Sequence, residues 1–218
     1  MHLNRSFRLD EFRYFLGLVL IIIMPVVITF WVVIHGGSKQ WRKRSPEMAY
    51  SFAGLFILIV VLLSWSFRNQ VLGSDLGFNF ILFISGVAIY IASFILWKPV
   101  KKHLDFKTFA GVPEVTNRKI ELIQDGPFAI VRHPRYLMVA IGITGWCLMS
   151  NYSGCYLVGI LSICGLFLIV WLEERDLVIR FGEAYRTYQK QVPQLIPTMS
   201  GIKKFWDENF RSSNRGSD

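Results

Sequence analysis

Five uncharged apolar runs decide what this chain can become: Phe15–Ile34, Ala49–Phe67, Phe78–Trp97, Tyr136–Met149 and Gly154–Leu172. None contains Asp, Glu, Lys, Arg or His. Four of them have the 19 or 20 residues that cross a hydrocarbon core of about 30 Å at about 1.5 Å per helical residue. The fourth in order is shorter and must borrow its flanks. In lipid such runs must be helical, because open strands leave backbone groups unpaired. A chain of 218 residues has no outer layer with which to hide five such helices inside a water-soluble fold. The expected fold is therefore an all-α integral membrane protein with five transmembrane helices. The first run is too long, and lacks the small-residue cleavage site, for a removable signal peptide.

The basic residues set the orientation. With five spans, Arg5, Arg8, Arg13 and Arg68 fall on one side and the other 20 of the 24 Lys and Arg on the opposite side. The N-terminus is thus expected outside and the C-terminus in the cytosol, in a bacterial inner membrane or the endoplasmic reticulum. The net charge of +9 is a positive-inside signature that also favours anionic lipid head groups. No separate basic domain exists to bind nucleic acid. Cys147, Cys155 and Cys164 lack metal-ligand spacing and read as small apolar packing residues.

The last two runs form a helical hairpin whose turn centres near Tyr152. His133 lies 19 residues before that turn and Glu173 lies 21 after it, about 28 and about 32 Å along the helices. Arg132-His133-Pro134-Arg135-Tyr136 and Glu173-Glu174 should therefore meet at one depth, at the cytosolic face. Pro134 suits the first turn of a helix, whose free N–H groups attract carboxylates. Arg132 adds a bidentate fork. A glutamate at the same depth offers a partner for an ammonium group, so the pair of segments suits an amino-acid-like zwitterion. The blander reading gives Arg132 to interfacial anchoring and the two glutamates to a salt-bridged face with Arg175 and Arg180.

Beyond Leu172 the helical pattern continues through Leu177, Phe181, Tyr185, Tyr188 and Val192. Gly182 favours a bend and Pro193 ends the helix. Tyr185 and Tyr188 can either sandwich an aromatic ring or pack the tail against the membrane region. Ile202, Phe205, Trp206 and Phe210 suit a short interfacial helix. In the long loop between Lys98 and Val131, Ile120–Gln124 suits a short ordered stretch leading into an Asp125-Gly126-Pro127 turn. The chain divides into a three-span region with its cytosolic loop (1–125), a hairpin with its tail helix (126–197) and a terminal segment (198–218).

The series Gly126-Pro127-Phe128, Arg132-His133-Pro134-Arg135-Tyr136, Glu173-Glu174, Phe181-Gly182-Glu183-Ala184-Tyr185, Tyr188, Val192-Pro193 and Ile196-Pro197 closely resembles the integral-membrane methyltransferase family. That family includes isoprenylcysteine carboxyl methyltransferase and the phospholipid N-methyltransferases. The match covers Gly126 to Pro197 in order and spacing. The resemblance implies S-adenosylmethionine (SAM) as cofactor. It implies His133, Tyr136, Glu173, Glu174, Gly126 and Tyr185 as cofactor residues and Arg132 as a catalytic residue that orients the substrate. It implies a lipid-like or hydrophobic acceptor, presented as carboxylate, thiolate or amine, with membrane lipids and lipidated small molecules or peptides as partners. No metal is required. Two departures stand out: Met138 replaces the glycine of Arg-His-Pro-x-Tyr-x-Gly, and no Gly-x-Gly occurs anywhere. A non-catalytic sensor or assembly protein on the same scaffold, or an NADPH-dependent sterol-type reductase, stays open as an alternative. The intact Glu-Glu pair and Phe-Gly-Glu-x-Tyr tail favour the methyltransferase.

Overall fold

A computed structural model describes residues 3–104, 106–116, 118, 120–199, 201 and 203 of the chain. Ten α-helices follow one another: α1 (Leu3–Gly36), α2 (Ser38–Trp41), α3 (Pro46–Ser66), α4 (Arg68–Leu72), α5 (Phe80–His103), α6 (Phe106–Phe109), α7 (Val112–Val115), α8 (Pro134–Ser150), α9 (Ser153–Phe181) and α10 (Glu183–Gln191). A single 3-10 turn covers Gly126–Ala129. No strand occurs among the described residues.

Among the described residues four helices are long and apolar enough to cross a membrane: Arg8–Gly36 within α1, then α3, α5 and α9. The fifth expected span, α8, has 17 residues, about 26 Å of helix. It falls just short of a typical hydrocarbon core. Large apolar side chains face outward along the long helices, among them Leu55, Leu62, Ile81, Ile95, Leu161 and Trp171. A surface this greasy suits lipid rather than water.

Small residues let the helices approach closely. A Cβ added at Gly145 would lie 2.6 Å from the Gly86 carbonyl oxygen, and one at Gly86 would lie 2.7 Å from that of Gly145. Thus α5 and α8 cross backbone to backbone, as small residues permit in membranes. Leu20, Ile21, Ile34, Cys155, Ile169 and Val170 are fully buried between α1 and α9.

Asn151, in a left-handed conformation at φ 54°, turns the chain between α8 and α9. The turn is bolted from three sides. Arg13 Nε donates to the Ser150 carbonyl at 3.2 Å, and the same guanidinium pairs with Asp75 and, at 2.9 Å, with Asp10. Asn151 Nδ2 donates to the Gly77 carbonyl at 2.8 Å, and Leu76 N donates back to the Asn151 carbonyl. Arg13, in line for the membrane edge by sequence, is therefore a buried structural clamp with 1% of its surface exposed.

Two expectations change and a third lies outside the described residues. Cys147 and Cys155 are buried packing residues, but Cys164 is exposed, on the outer side of α9. Ile120–Gln124 has no regular secondary structure. Of the interfacial-helix residues Ile202, Phe205, Trp206 and Phe210, all lie outside the described residues.

Candidate active site at the open end of the hairpin

The two ends of the hairpin meet. His133 caps α8, and its Nε2 lies 3.1 Å from Glu174 Oε1 while its Nδ1 lies 3.9 Å from Glu173 Oε2. Pro134 opens α8 as its first residue. The N–H groups just before it are already used: Arg132 N donates to the Pro193 carbonyl at 2.9 Å and His133 N to that of Gln194 at 3.1 Å. The helix end is thus an anchor for the returning tail as well as a source of positive potential.

Adjacent helical residues point about 100° apart, and the two glutamates use that divergence. Glu174 collects the tail. It accepts from Arg132 Nε at 2.7 Å, Gln189 Nε2 at 3.0 Å and Tyr185 OH at 3.3 Å. Arg132 Nη1 also donates to the Gln189 carbonyl at 3.0 Å and to that of Val192. Glu173 faces inward instead. It accepts from Tyr136 OH at 2.6 Å, and Tyr136 in turn accepts from Arg135 Nη2 at 2.6 Å. Neither glutamate pairs with Arg175 or Arg180: Arg175 lies over the Trp171 ring, and Arg180 Nε sits 2.9 Å from Asp176 Oδ2. The salt-bridged surface reading of the pair is therefore replaced by a buried network.

Gly182, at φ 58° and ψ −129°, breaks α9 from α10 as its position suggests. The bend folds α10 back, burying Tyr185 and Tyr188 to 1% and 3% exposure. Their rings meet edge to face at 5.8 Å, and Tyr188 OH donates to the Phe128 carbonyl at 2.6 Å. Burial, and then the neighbouring Glu174 charge, push the Tyr185 phenol far above its ordinary range, so it stays a hydrogen-bond donor at any working pH.

These elements wall a cavity of about 550 Å³, within the range of small-molecule sites. Arg132, His133, Glu173, Tyr185 and Tyr188 line it, as do Leu177 and Phe181 from the same face of α9. The long loop closes the other wall, with Leu104, Ile120, Leu122 and Ile123 interleaved with Glu114, Arg118, Glu121 and Asp125. Glu174 and Tyr136 hold the lining residues without lining the cavity themselves. Gly126 is also off the wall. Its φ of 55° lets the His103 ring lie against the backbone, and a Cβ there would come within 2.7 Å of that ring.

Several contributors escaped sequence reasoning. His35, fully buried at the end of α1, stacks on Trp31 at 5.1 Å and reaches Tyr136 OH at 3.4 Å and Glu173 Oε2 at 3.7 Å. Arg135 sits 4.3 Å over the Trp31 ring. Arg42 pairs with Asp176 at 2.6 Å and fastens α2 to α9. Glu114, from α7, lines the cavity. The signal for His35 was its place directly after the first apolar run. For Glu114 it was a carboxylate set between Pro113 and Val115, a local apolar stretch of the long loop.

A helical chain with apolar outer faces and an Arg, His and Glu cavity at one end of a hairpin fits a class: helical membrane proteins with a polar cavity at one end of their spans. Known proteins agree. The phospholipid methyltransferase family profile matches residues 80–184. A methanethiol S-methyltransferase of Pseudomonas deceptionensis is 36% identical over 194 residues, covering 80% of this chain and 71% of the relative. Methanethiol S-methyltransferase 1 of Bradyrhizobium diazoefficiens is 30% identical over 200 residues, covering 81% of this chain and 67% of the relative. A methanethiol S-methyltransferase of a Pseudomonas strain aligns over 76 residues at 37% identity, covering 35% of this chain and 28% of its own length. No solved structure matches the chain at a significant level. The chain belongs to the integral-membrane methyltransferase family.

Proposed function

We propose that this chain is a SAM-dependent methyltransferase that acts on a hydrophobic acceptor at the membrane face. The observation that carries the reading is the convergence of Glu173, His133 and Arg132 with Tyr185 and Tyr188 on one cavity. A carboxylate beside a guanidinium suits the α-ammonium and α-carboxylate of SAM, and two tyrosine rings suit its adenine. SAM supplies an electrophilic methyl group on a sulfonium centre. The protein's task is then to align a nucleophile and exclude water.

In this reading Glu173 holds the ammonium group, with Tyr136 fixing the carboxylate's orientation. Glu174 and Tyr185 belong to the same cofactor site but act through the tail, since Glu174 ties His133 and Arg132 to α10. Gly126 supports the site by seating His103. Arg132 spends Nε and Nη1 on Glu174 and the tail carbonyls. Its role toward an anionic group of cofactor or substrate falls to Nη2. Its charge persists at any working pH, so it is no general base.

The acceptor lies along the loop wall, against Leu104, Ile120, Leu122 and Ile123. The two long-matching relatives are named for methanethiol, which makes a small alkyl thiol the first acceptor to try; lipid-like carboxylates and amines follow. For topology, α8 serves as the fifth span, with the N-terminus outside and the hairpin's open end in the cytosol, the arrangement favoured by the distribution of Lys and Arg.

The test is incubation of membranes containing the protein with methyl-labelled SAM. One arm adds methanethiol and collects volatile products; a second extracts lipids for mass spectrometry. Protein-dependent label in a thioether or a lipid is the expected result. Binding of NADPH instead of SAM to the purified protein would replace this reading with the reductase one.

A further inference from the structure

Glu114 is held in a way that leaves one of its carboxyl oxygens without a hydrogen-bond partner among the described residues. Gly111, in the left-handed conformation at φ 75°, starts α7, and Pro113 and Val115 are buried on either side of the glutamate. Two arginines grip the backbone there: Arg180 Nη2 donates to the Pro113 carbonyl, and Arg42 Nη1 to the Glu114 carbonyl at 3.4 Å. Both arginines are tied to Asp176, at 2.9 Å and 2.6 Å. They fix Glu114 in place through its main chain. Its side-chain Oε2 is sealed from solvent and finds no hydrogen-bond partner among the described residues.

A buried unpaired carboxyl oxygen is costly, and such a group calls for an explanation. Here the residue lines the same cavity as Arg132, His133 and Glu173, so a turn of its carboxyl carries the unpaired oxygen to that surface. Exposed Glu121 and Asp125 line it too, so the cavity reaches water.

We propose that Glu114 takes up the proton of the methyl acceptor, and hence that the acceptor is a protonated nucleophile such as a thiol. The inference rests on the methyltransferase reading above. As the acceptor's S–H bond breaks, the proton goes to the Glu114 carboxylate. The freed electron pair forms the S–CH3 bond, and the methyl group's bond to the sulfonium sulfur breaks. One cation and one carboxylate become two neutral thioethers and a carboxylic acid, so charge balances without a metal. Glu114 then returns its proton to water at the cavity mouth. A carboxylate acceptor needs no such base and would meet Glu114 as a like charge.

The loop setting tunes the group for this work. Burial first, and the Glu173 carboxylate second, raise its pKa to about 7. The charged and titratable groups around it are Glu173 and Arg180 on α9, Arg135 on α8, Arg42 on α2 and Tyr50 on α3. A base poised near the working pH is the efficient kind.

The test uses the full chain in lipid nanodiscs with a small alkyl thiol and methyl-labelled SAM, for the parent, Glu114→Gln and Glu114→Asp. The parent's rate should rise with pH and level off above about 7. Glu114→Gln should fall about 100-fold near neutral pH and then climb about tenfold per pH unit as the thiol ionises unaided. SAM affinity should stay within about twofold, since Glu114 serves the acceptor. Independently of turnover, infrared difference spectra should show a carboxylic acid that titrates near 7 in the parent and is missing from Glu114→Gln. A parental pH profile in Glu114→Gln overturns the proposal, as does a rate loss matched by an equal loss of SAM affinity. If Glu114→Gln does not fold, Glu114→Asp decides: a moved midpoint supports the base, and a parental midpoint with a lower rate overturns it. A parent that binds no SAM removes the methyltransferase reading itself; a working parent with an indifferent Glu114 removes only the proposal.

Discussion

The two ends of the α8–α9 hairpin are built from the same chemistry and come out differently. At the turn, Arg13 is buried and engages Asp10, Asp75 and two main-chain carbonyls, and is fully enclosed by the partners it holds. At the open end, Arg132 is just as engaged, with Glu174 and two carbonyls, but it borders a cavity. Beside that cavity polar atoms are left over: Glu114 Oε2 in its wall residue and His35 Nδ1 behind Glu173 are buried without a hydrogen-bond partner among the described residues. A buried arginine alone therefore says nothing about function. What separates a clamp from a site is surplus: donors and acceptors that the protein holds in place and does not itself satisfy.

The largest effect is expected where clamp and site coincide. Glu174→Gln removes the partner of a nearly buried guanidinium, which costs about 3 kcal/mol. It should lower the melting temperature, free α10 to proteases and weaken SAM binding by about 100-fold. Limited proteolysis beside a binding titration checks this. A variant that loses neither tail protection nor affinity would erase the difference drawn between the two ends.

Arg13→Gln should cost about 2 kcal/mol through lost charged hydrogen bonds. SAM affinity per folded molecule should not change. A thermal melt and a binding titration on one preparation separate the two. Loss of affinity would mean that the turn end communicates with the site.

A smaller effect is a pH dependence of stability. A carboxyl whose pKa rises on folding binds its proton more tightly in the folded state. Glu114 moves from 4.5 to about 7, so its contribution is complete below about 4.5 and is lost as pH rises to about 7. The parent's melting temperature relative to Glu114→Gln should fall across that window. A constant difference would place Glu114 in water. Smallest of all, a membrane-soluble maleimide should label Cys164 and spare Cys147 and Cys155, in line with their exposure.

Much of this was legible in the sequence, because apolar run length and residue counts along helices obey simple rules. Counting from Tyr152 places His133 and Glu173 at one depth, and they lie within 3.9 Å. Gly182 was readable as a bend because glycine weakens a helix interior, and it takes its φ of 58° there without steric cost. The site's other wall was not legible. His35, Trp31 and Glu114 reach the cavity region from α1 and a loop, and long-range packing leaves no periodic trace. The solvated look of Glu173-Glu174 also misled, since adjacent charges at a helix end usually face water. The close approach of His103 to Gly126 was likewise not legible, since the two lie on separate segments of the long loop region.

The most direct test is equilibrium binding of labelled SAM to the detergent-purified parent, Glu173→Gln and Arg13→Gln in parallel. Saturable binding is expected for the parent and for Arg13→Gln. Glu173→Gln should bind about tenfold or more weakly, the worth of one charged hydrogen bond of about 1.5–3 kcal/mol. No binding by the parent, or equal affinity in all three, would contradict a cofactor site at the open end of the hairpin.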